Sequence, residues 1–167
     1  MKFISFLFPI LVAVTVEAGE HREQGKHEHG HGQVAIAFEG GHGMISLDTP
    51  AESILGFEHQ AKSEKDKKAE TDAFSKLEKS IGEMIVFAPA LKCQFLKDKI
   101  ERKIQGNHSD IEASFHVQCE KSPMGTPISF SFQKVFPKLR DVKVQFIAEK
   151  VQKSLDVKKD GMGFEIK

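Results

Sequence analysis

Ile111-Glu112-Ala113-Ser114-Phe115-His116-Val117-Gln118-Cys119 alternates apolar and polar residues without a break. A period of two sends successive side chains to opposite sides of an extended chain, so this stretch reads as a strand with one buried face. The same period recurs on both sides of it. Upstream, Leu91, Cys93 and Phe95 share a face. Val34, Ile36 and Phe38 alternate with small residues, then Glu39-Gly40-Gly41-His42-Gly43 leads into residues 44–48. Glycines at 40 and 41 admit the positive φ of a tight turn, so the pair reads as a β-hairpin ended by Thr49-Pro50. Downstream, Ile128, Phe130 and Phe132 mark one strand, and Val142, Val144, Phe146 and Ala148 mark the next. Residues 151–157 and 162–166 follow, joined by a Lys159-Asp160-Gly161 turn.

One segment breaks this pattern. Ala69, Ala73, Phe74, Leu77 and Ile81 recur at three- and four-residue steps with Lys and Glu between them, which predicts a helix over about 63–80 capped by Ser63. Residues 51–59 read as an apolar loop or a short turn of helix. The fold expected is therefore α+β: mainly antiparallel β-sheets with one substantial helix. The fourteen phenylalanines fall largely on inward positions and read as core filling. Cys93 and Cys119 are the only cysteines, each on the apolar face of its strand. A single disulfide in an oxidising compartment is the favoured reading, and a pair of metal ligands without close C-x-x-C spacing is the alternative.

The first eighteen residues set the expected compartment. Lys2 precedes an apolar run over residues 3–16, and Val16-Glu17-Ala18 supplies a cleavage signature. A cleaved secretory signal is expected, with an uncleaved N-terminal anchor as the alternative. No later segment is long and apolar enough to span a membrane. The organisation expected is a signal peptide over 1–18, a His-rich arm over 19–32 and a single domain over 33–167. Removing Lys2 and Glu17 leaves acidic and basic residues in balance. That neutrality argues against nucleic acid and anionic membranes, which call for basic surfaces.

Histidine is the residue in excess: eight copies, four of them between positions 21 and 31. His27, His29 and His31 lie two apart, so in an extended chain they leave from one face. An H-x-H pair can deliver two imidazole nitrogens to one zinc at about 2.0–2.1 Å. In a straight strand the outer two Cα atoms would be roughly 13 Å apart, too far for one coordination sphere, although Gly30 and Gly32 could bend the chain. Two of the three are therefore expected to share a zinc, with a further ligand from elsewhere. His59, at the end of Gly56-Phe57-Glu58-His59, is the first candidate, with Glu58 as a ligand or supporting group. His21, His42 and His116 come next, His116 on the polar face of its strand. His108 lies in the loop Gly106-Asn107-His108-Ser109-Asp110. A lone histidine in a turn or on a strand surface also reads simply as a polar surface residue. Cleavage after Ala18 would expose Gly19-Glu20-His21, an end whose amine, amides and imidazole suit square-planar Cu²⁺ or Ni²⁺. The sequence holds no G-x-S-x-G motif and no glycine loop of the phosphate-binding kind, and no enzyme activity is expected.

These residues together resemble the ZrgA-like family of zinc-regulated periplasmic proteins. The resemblance runs from His21-Arg22-Glu23 and His27-Glu28-His29-Gly30-His31 through Thr49-Pro50-Ala51 and Gly56-Phe57-Glu58-His59. It continues through Cys93, residues 115–119, Phe136-Pro137 and residues 142–146. It implies an α/β periplasmic protein that binds several zinc ions and assists a zinc ABC importer, with the importer's solute-binding component as a partner. One departure stands out. Members of that family carry a long His/Asp/Glu-rich insert between the cysteine-bearing strands, whereas residues 97–110 here hold only His108. The expectation is thus low-capacity zinc capture rather than bulk storage. The alternatives are an envelope structural or interaction module, for which residues 54–57 offer an apolar loop, and a zinc hydrolase.

Overall fold

A computed structural model of the chain describes residues 30–106 and 108–167. Strands β1 (His31–Glu39), β2 (His42–Pro50), β4 (Gln94–Gln105), β5 (His108–Gln118), β7 (Asp141–Ala148) and β8 (Val151–Val157) form one sheet. Its order is β4-β5-β2-β1-β7-β8. Strands β3 (Ile85–Phe87), β6 (Pro127–Phe130) and β9 (Met162–Glu165) form a second sheet in the order β3-β6-β9. The helices are α1 (Ala51–Leu55), α2 (Glu64–Met84) and α3 (Phe132–Val135), with a 3₁₀ turn at Pro89–Leu91.

The strand periods place the core. Along β5, Ile111, Ala113, Phe115 and Val117 are buried while His116 and Gln118 are exposed. Along β1, Val34, Ile36 and Phe38 point inward in the same way. The buried face of the large sheet packs on the small sheet: the ring of Phe38 lies 5.3 Å from that of Phe87, and Phe146 lies 5.9 Å from Phe164. Leu77, Ile81 and Met84 bring α2 into the same core.

The expected class needs correction. Strand outweighs helix, 49% against 24% of the described residues, and the large sheet is mixed rather than antiparallel. Its central strand β1 pairs antiparallel with β2 but parallel with β7, from His31 opposite Asp141 to Phe38 opposite Ala148. Alternation in the sequence identifies a strand and its buried face. It is the same whichever way the neighbour runs, so direction was not encoded in it. Two local readings also shift. The turn after β8 leads not to a hairpin partner but into the second sheet, where β9 pairs with β6. Gly163 allows this pairing, because a Cβ there would collide with the Ile128 carbonyl. Phe132 is buried as expected but opens α3, β6 having ended at Phe130.

Helix α2 starts where the sequence predicts and runs one turn further. The Ser63 hydroxyl accepts from the Asp66 backbone N–H at 3.1 Å, satisfying one orphan donor of the first turn. The same hydroxyl, and after it the His59 ring, hold the Asp66 carboxyl below the usual range. At the other end Gly82 looks like a stop, yet it lies within the helix because the Phe95 ring occupies the space beside it, 3.1 Å from where a Cβ would stand. Ser63→Ala is expected to cost about 1 kcal/mol in urea denaturation. A loss below a few tenths would mean the cap is redundant.

The cysteine expectation holds: Cys93 and Cys119 form a disulfide across the strand ends next to β4 and β5. Among the described residues no helix is long and apolar enough to cross a membrane.

Candidate metal-binding corner

The chain enters the sheet at Gly30. Its φ is +86°, and its carbonyl accepts from the backbone N–H groups of Arg140 and Asp141 at 2.8 and 3.0 Å. A Cβ at this position would sit 3.0 Å from the Lys138 carbonyl, so both the angle and the close approach favour glycine. The chain therefore turns at Gly30, immediately before His31. His31 itself begins β1 on the exposed face, where its carbonyl accepts from the buried Thr49 hydroxyl at 2.8 Å. His21, His27, His29 and the Gly19-Glu20-His21 end lie outside the described residues.

Strand register decides which other histidines share this end. Pro50, at the end of β2, pairs with Asp110 near the start of β5, and His108 lies two residues beyond Asp110. From β1 to β5 is two strand spacings, so the Cα atoms of His31 and His108 are about 12 Å apart. His42 and His116 sit at the opposite end. His42 begins β2 beside the Glu39 turn, and His116 pairs with Met44. They lie on neighbouring strands, about 26 and 20 Å along the sheet from the His31 end. Among the described residues, register thus separates His31 and His108 from His42 and His116.

The loop after α1 carries His59 and its neighbour Glu58, and these two side chains diverge. The His59 ring stacks on Phe57 with centroids 4.7 Å apart and puts Nε2 3.4 Å from the Asp66 carboxylate in the first turn of α2. Glu58 reaches across to β5, where its Oε2 lies 2.9 Å from Nδ1 of His108. The Glu58 side chain is 15% exposed and that of His108 54% exposed, so a sheltered carboxylate holds a ring open to solvent.

Arg102 on β4 fastens this loop to the sheet. Its side chain, only 5% exposed, pairs with Glu70 of α2 at 3.2 Å and donates through Nε to the Ser109 hydroxyl at 2.9 Å. Through Nη2 it donates to the carbonyls of both Glu58 and His59, and its guanidinium lies over the Phe57 ring, 5.5 Å from the centroid. Ser109, fully buried, adds its own bond to the Glu58 carbonyl at 2.9 Å. A planar five-donor fork suits this task, because it can serve several acceptors held in different directions. Neither Arg102 nor Ser109 stands out in the sequence. The one available signal was that Arg102 is a charged residue on an inward-facing position, opposite Ile111.

Acidic side chains gather at the same end. Asp48 and Asp110 stand on the outer face of β2 and β5, Asp110 only 7% exposed, and Asp141 pairs in register with His31. Among the described residues no group of three or more potential ligands is already close enough to hold a metal ion. The corner supplies imidazole and carboxylate donors of the kind that zinc takes.

A comparison with curated proteins finds no match. Residues 26–165, nearly all of the described body together with the histidine run, match the description ZrgA family zinc uptake protein. That match ties the chain to zinc uptake, and zinc uptake together with the disulfide is consistent with an exported protein. A histidine run feeding an acidic, histidine-bearing sheet end, and a match spanning the run and the fold alike, lead to one assignment: the chain belongs to the ZrgA family of zinc uptake proteins.

Proposed function

We propose that this protein is a periplasmic zinc-binding accessory protein, which captures Zn²⁺ with its N-terminal histidines and passes it to the solute-binding component of a zinc importer. In this reading it performs no catalytic step. The observation that carries it is that His31, the last member of the histidine run, opens β1 at the end of the sheet where Asp48, Asp110, Asp141 and the Glu58–His108 pair also stand. Two of His27, His29 and His31 supply imidazoles, and the folded corner completes the coordination. Binding reverses on acidification, because only neutral imidazole ligates and its free pKa is about 6.5.

Zinc titration calorimetry tests this directly. Replacing His27, His29 and His31 together by alanine should weaken binding by more than the roughly 10–100-fold that loss of a supporting residue costs. Unchanged affinity and stoichiometry in that variant would overturn the reading.

A second reading, an envelope interaction module, draws on a different face. Leu96, Met44 and Ile147, each about half exposed, lie in one register row across the outer face of the large sheet, with His116 and Ala37 between them. The loop at residues 54–57 suits that role less well than the sequence suggested, since Ile54 is buried in the core. Growth of a deletion strain in chelated medium separates the two readings. A defect rescued by zinc supports capture, and normal growth favours the interaction module.

A further inference from the structure

We propose that the outer face of the large sheet is a dimer interface, on which a second copy of this chain packs face to face about a two-fold axis. The inference rests on neither reading of the function, because it concerns assembly alone.

Register places the outward side chains in rows across the sheet. Leu96, His116, Met44, Ala37, Ile147 and Gln152 form one row over all six strands. Beside it Ser114, Ser46, Ala35, Gln145 and Ser154 form a second row over five strands, closed at the β4 edge by Lys99. In a chain that is 29% charged, these eleven positions would hold about three formal charges (29% of eleven), and they hold none. A face meant for water mixes charges of both signs among its residues. One that has lost its charges, with methionine at the middle and polar residues around it, has the make-up of an interface core. Leu96, Met44 and Ile147 are 56%, 47% and 51% exposed, so three large apolar side chains stand in water along a single row.

Size selects the occupant. Six strands about 4.8 Å apart span about 29 Å, and four side-chain rows about 6.8 Å apart span about 27 Å. The face thus offers about 780 Å², close to the roughly 800 Å² that each partner gives to a standard stable interface. A helix aligned with the strands is only about 10–12 Å across. It would leave Leu96 or Ile147 in water, since four strand spacings separate them. A second sheet of the same width covers the whole row, in the aligned packing of two sheets about 10 Å apart.

The face is also complementary to itself. The midline of the six strands falls between β2 and β1. A two-fold axis along the strands at that line exchanges β2 with β1, β5 with β7 and β4 with β8. Met44 then stands over Ala37 of the other copy, beside its small neighbours Ala35 and Ser46, so a projecting side chain meets a low patch twice. In the charged row nearer the start of β1, Glu112 faces Lys143 of the other copy. At the opposite end, His42 faces Glu39. Glu101 and Asp156 meet as like charges, but on the outermost strands, where Lys99 and Lys103 already pair with Glu101.

Sedimentation equilibrium of the purified protein over a range of concentrations tests the assembly, with circular dichroism to verify that each variant is folded. The wild type is expected at twice the monomer mass. Met44→Lys puts a charge at the centre of the interface on an exposed strand position, and should raise the dissociation constant about 30-fold or more. Val86→Lys, at an exposed apolar residue of the small sheet, should leave it unchanged. Glu112→Lys should weaken the dimer about threefold or more, and adding Lys143→Glu to the same chain should restore it. A monomer at every concentration, or a dimer that Met44→Lys leaves intact, overturns the proposal. A dimer lost in Met44→Lys but not restored by the charge exchange overturns the two-fold arrangement. A monomer that binds a different protein through Met44 gives the face to another partner and overturns the second copy.

Discussion

Phe146→Ala is expected to destabilise the fold by about 3–5 kcal/mol, the cost of emptying a large buried aromatic site. Phe146 is fully buried at the centre of β7. Its ring lies 6.1 Å from that of Phe38 on the adjacent β1 and meets Phe164 of the second sheet edge-on at 5.9 Å. Phe38 in turn meets Phe87 of the second sheet at 5.3 Å. Phe146 thus belongs to a chain of rings that joins the two sheets. Phe146 and Phe38 stand on strands hydrogen-bonded on both sides, which limits how far that wall can relax into a cavity. Domain stabilities are about 5–15 kcal/mol, so the loss would be a large share of the total. Urea denaturation measures it directly. A change below about 1 kcal/mol, the cost of removing a single methyl-sized volume, would show that the sheets are held together elsewhere.

Removing the disulfide by changing Cys93 and Cys119 to serine should cost about 3.5 kcal/mol in the chain-entropy account, given 26 residues of separation. The bond closes the open end of the β4–β5 hairpin, whose other end carries His108. Eleven residues of strand separate His108 from Cys119, about 35 Å. Stability and metal binding should therefore respond separately: the denaturation midpoint falls, while the zinc affinity of the still-folded protein is unchanged. A midpoint unmoved by the double substitution would contradict the stabilising role. A parallel loss of zinc affinity would place a metal ligand at this end of the sheet.

Much of this architecture was legible before any coordinates. The alternation around Phe115 located β5 and its inward face, Gly40-Gly41 located the β1–β2 turn, and Ser63 located the start of α2. What could not be read was how the strands are arranged. Val34, Ile36 and Phe38 would alternate identically beside a parallel or an antiparallel neighbour, and β9 alternates identically in either sheet. The metal corner was legible in the same partial way. His59 and Glu58 are adjacent in sequence and were read as partners, but in the fold one turns to α2 and the other to β5. The contact between Glu58 and His108 spans fifty residues, and no local pattern encodes it. Arg102 was harder still, because its main partners are backbone carbonyls and those exist at every position.

The parallel pairing of β1 with β7 also has a kinetic side. Its first register pair, His31 with Asp141, joins positions 110 apart in the chain, so β1 remains without one of its neighbours until most of the polypeptide has been synthesised. The β1–β2 hairpin closes locally and early, and the β4–β5 hairpin can do the same. The turn at Gly30 cannot, because the N–H groups that fix it belong to Arg140 and Asp141. His31 is thus among the first residues of the sheet to be synthesised and among the last to gain its β7 partner. The geometry of the finished corner is acquired only on completion of the sheet.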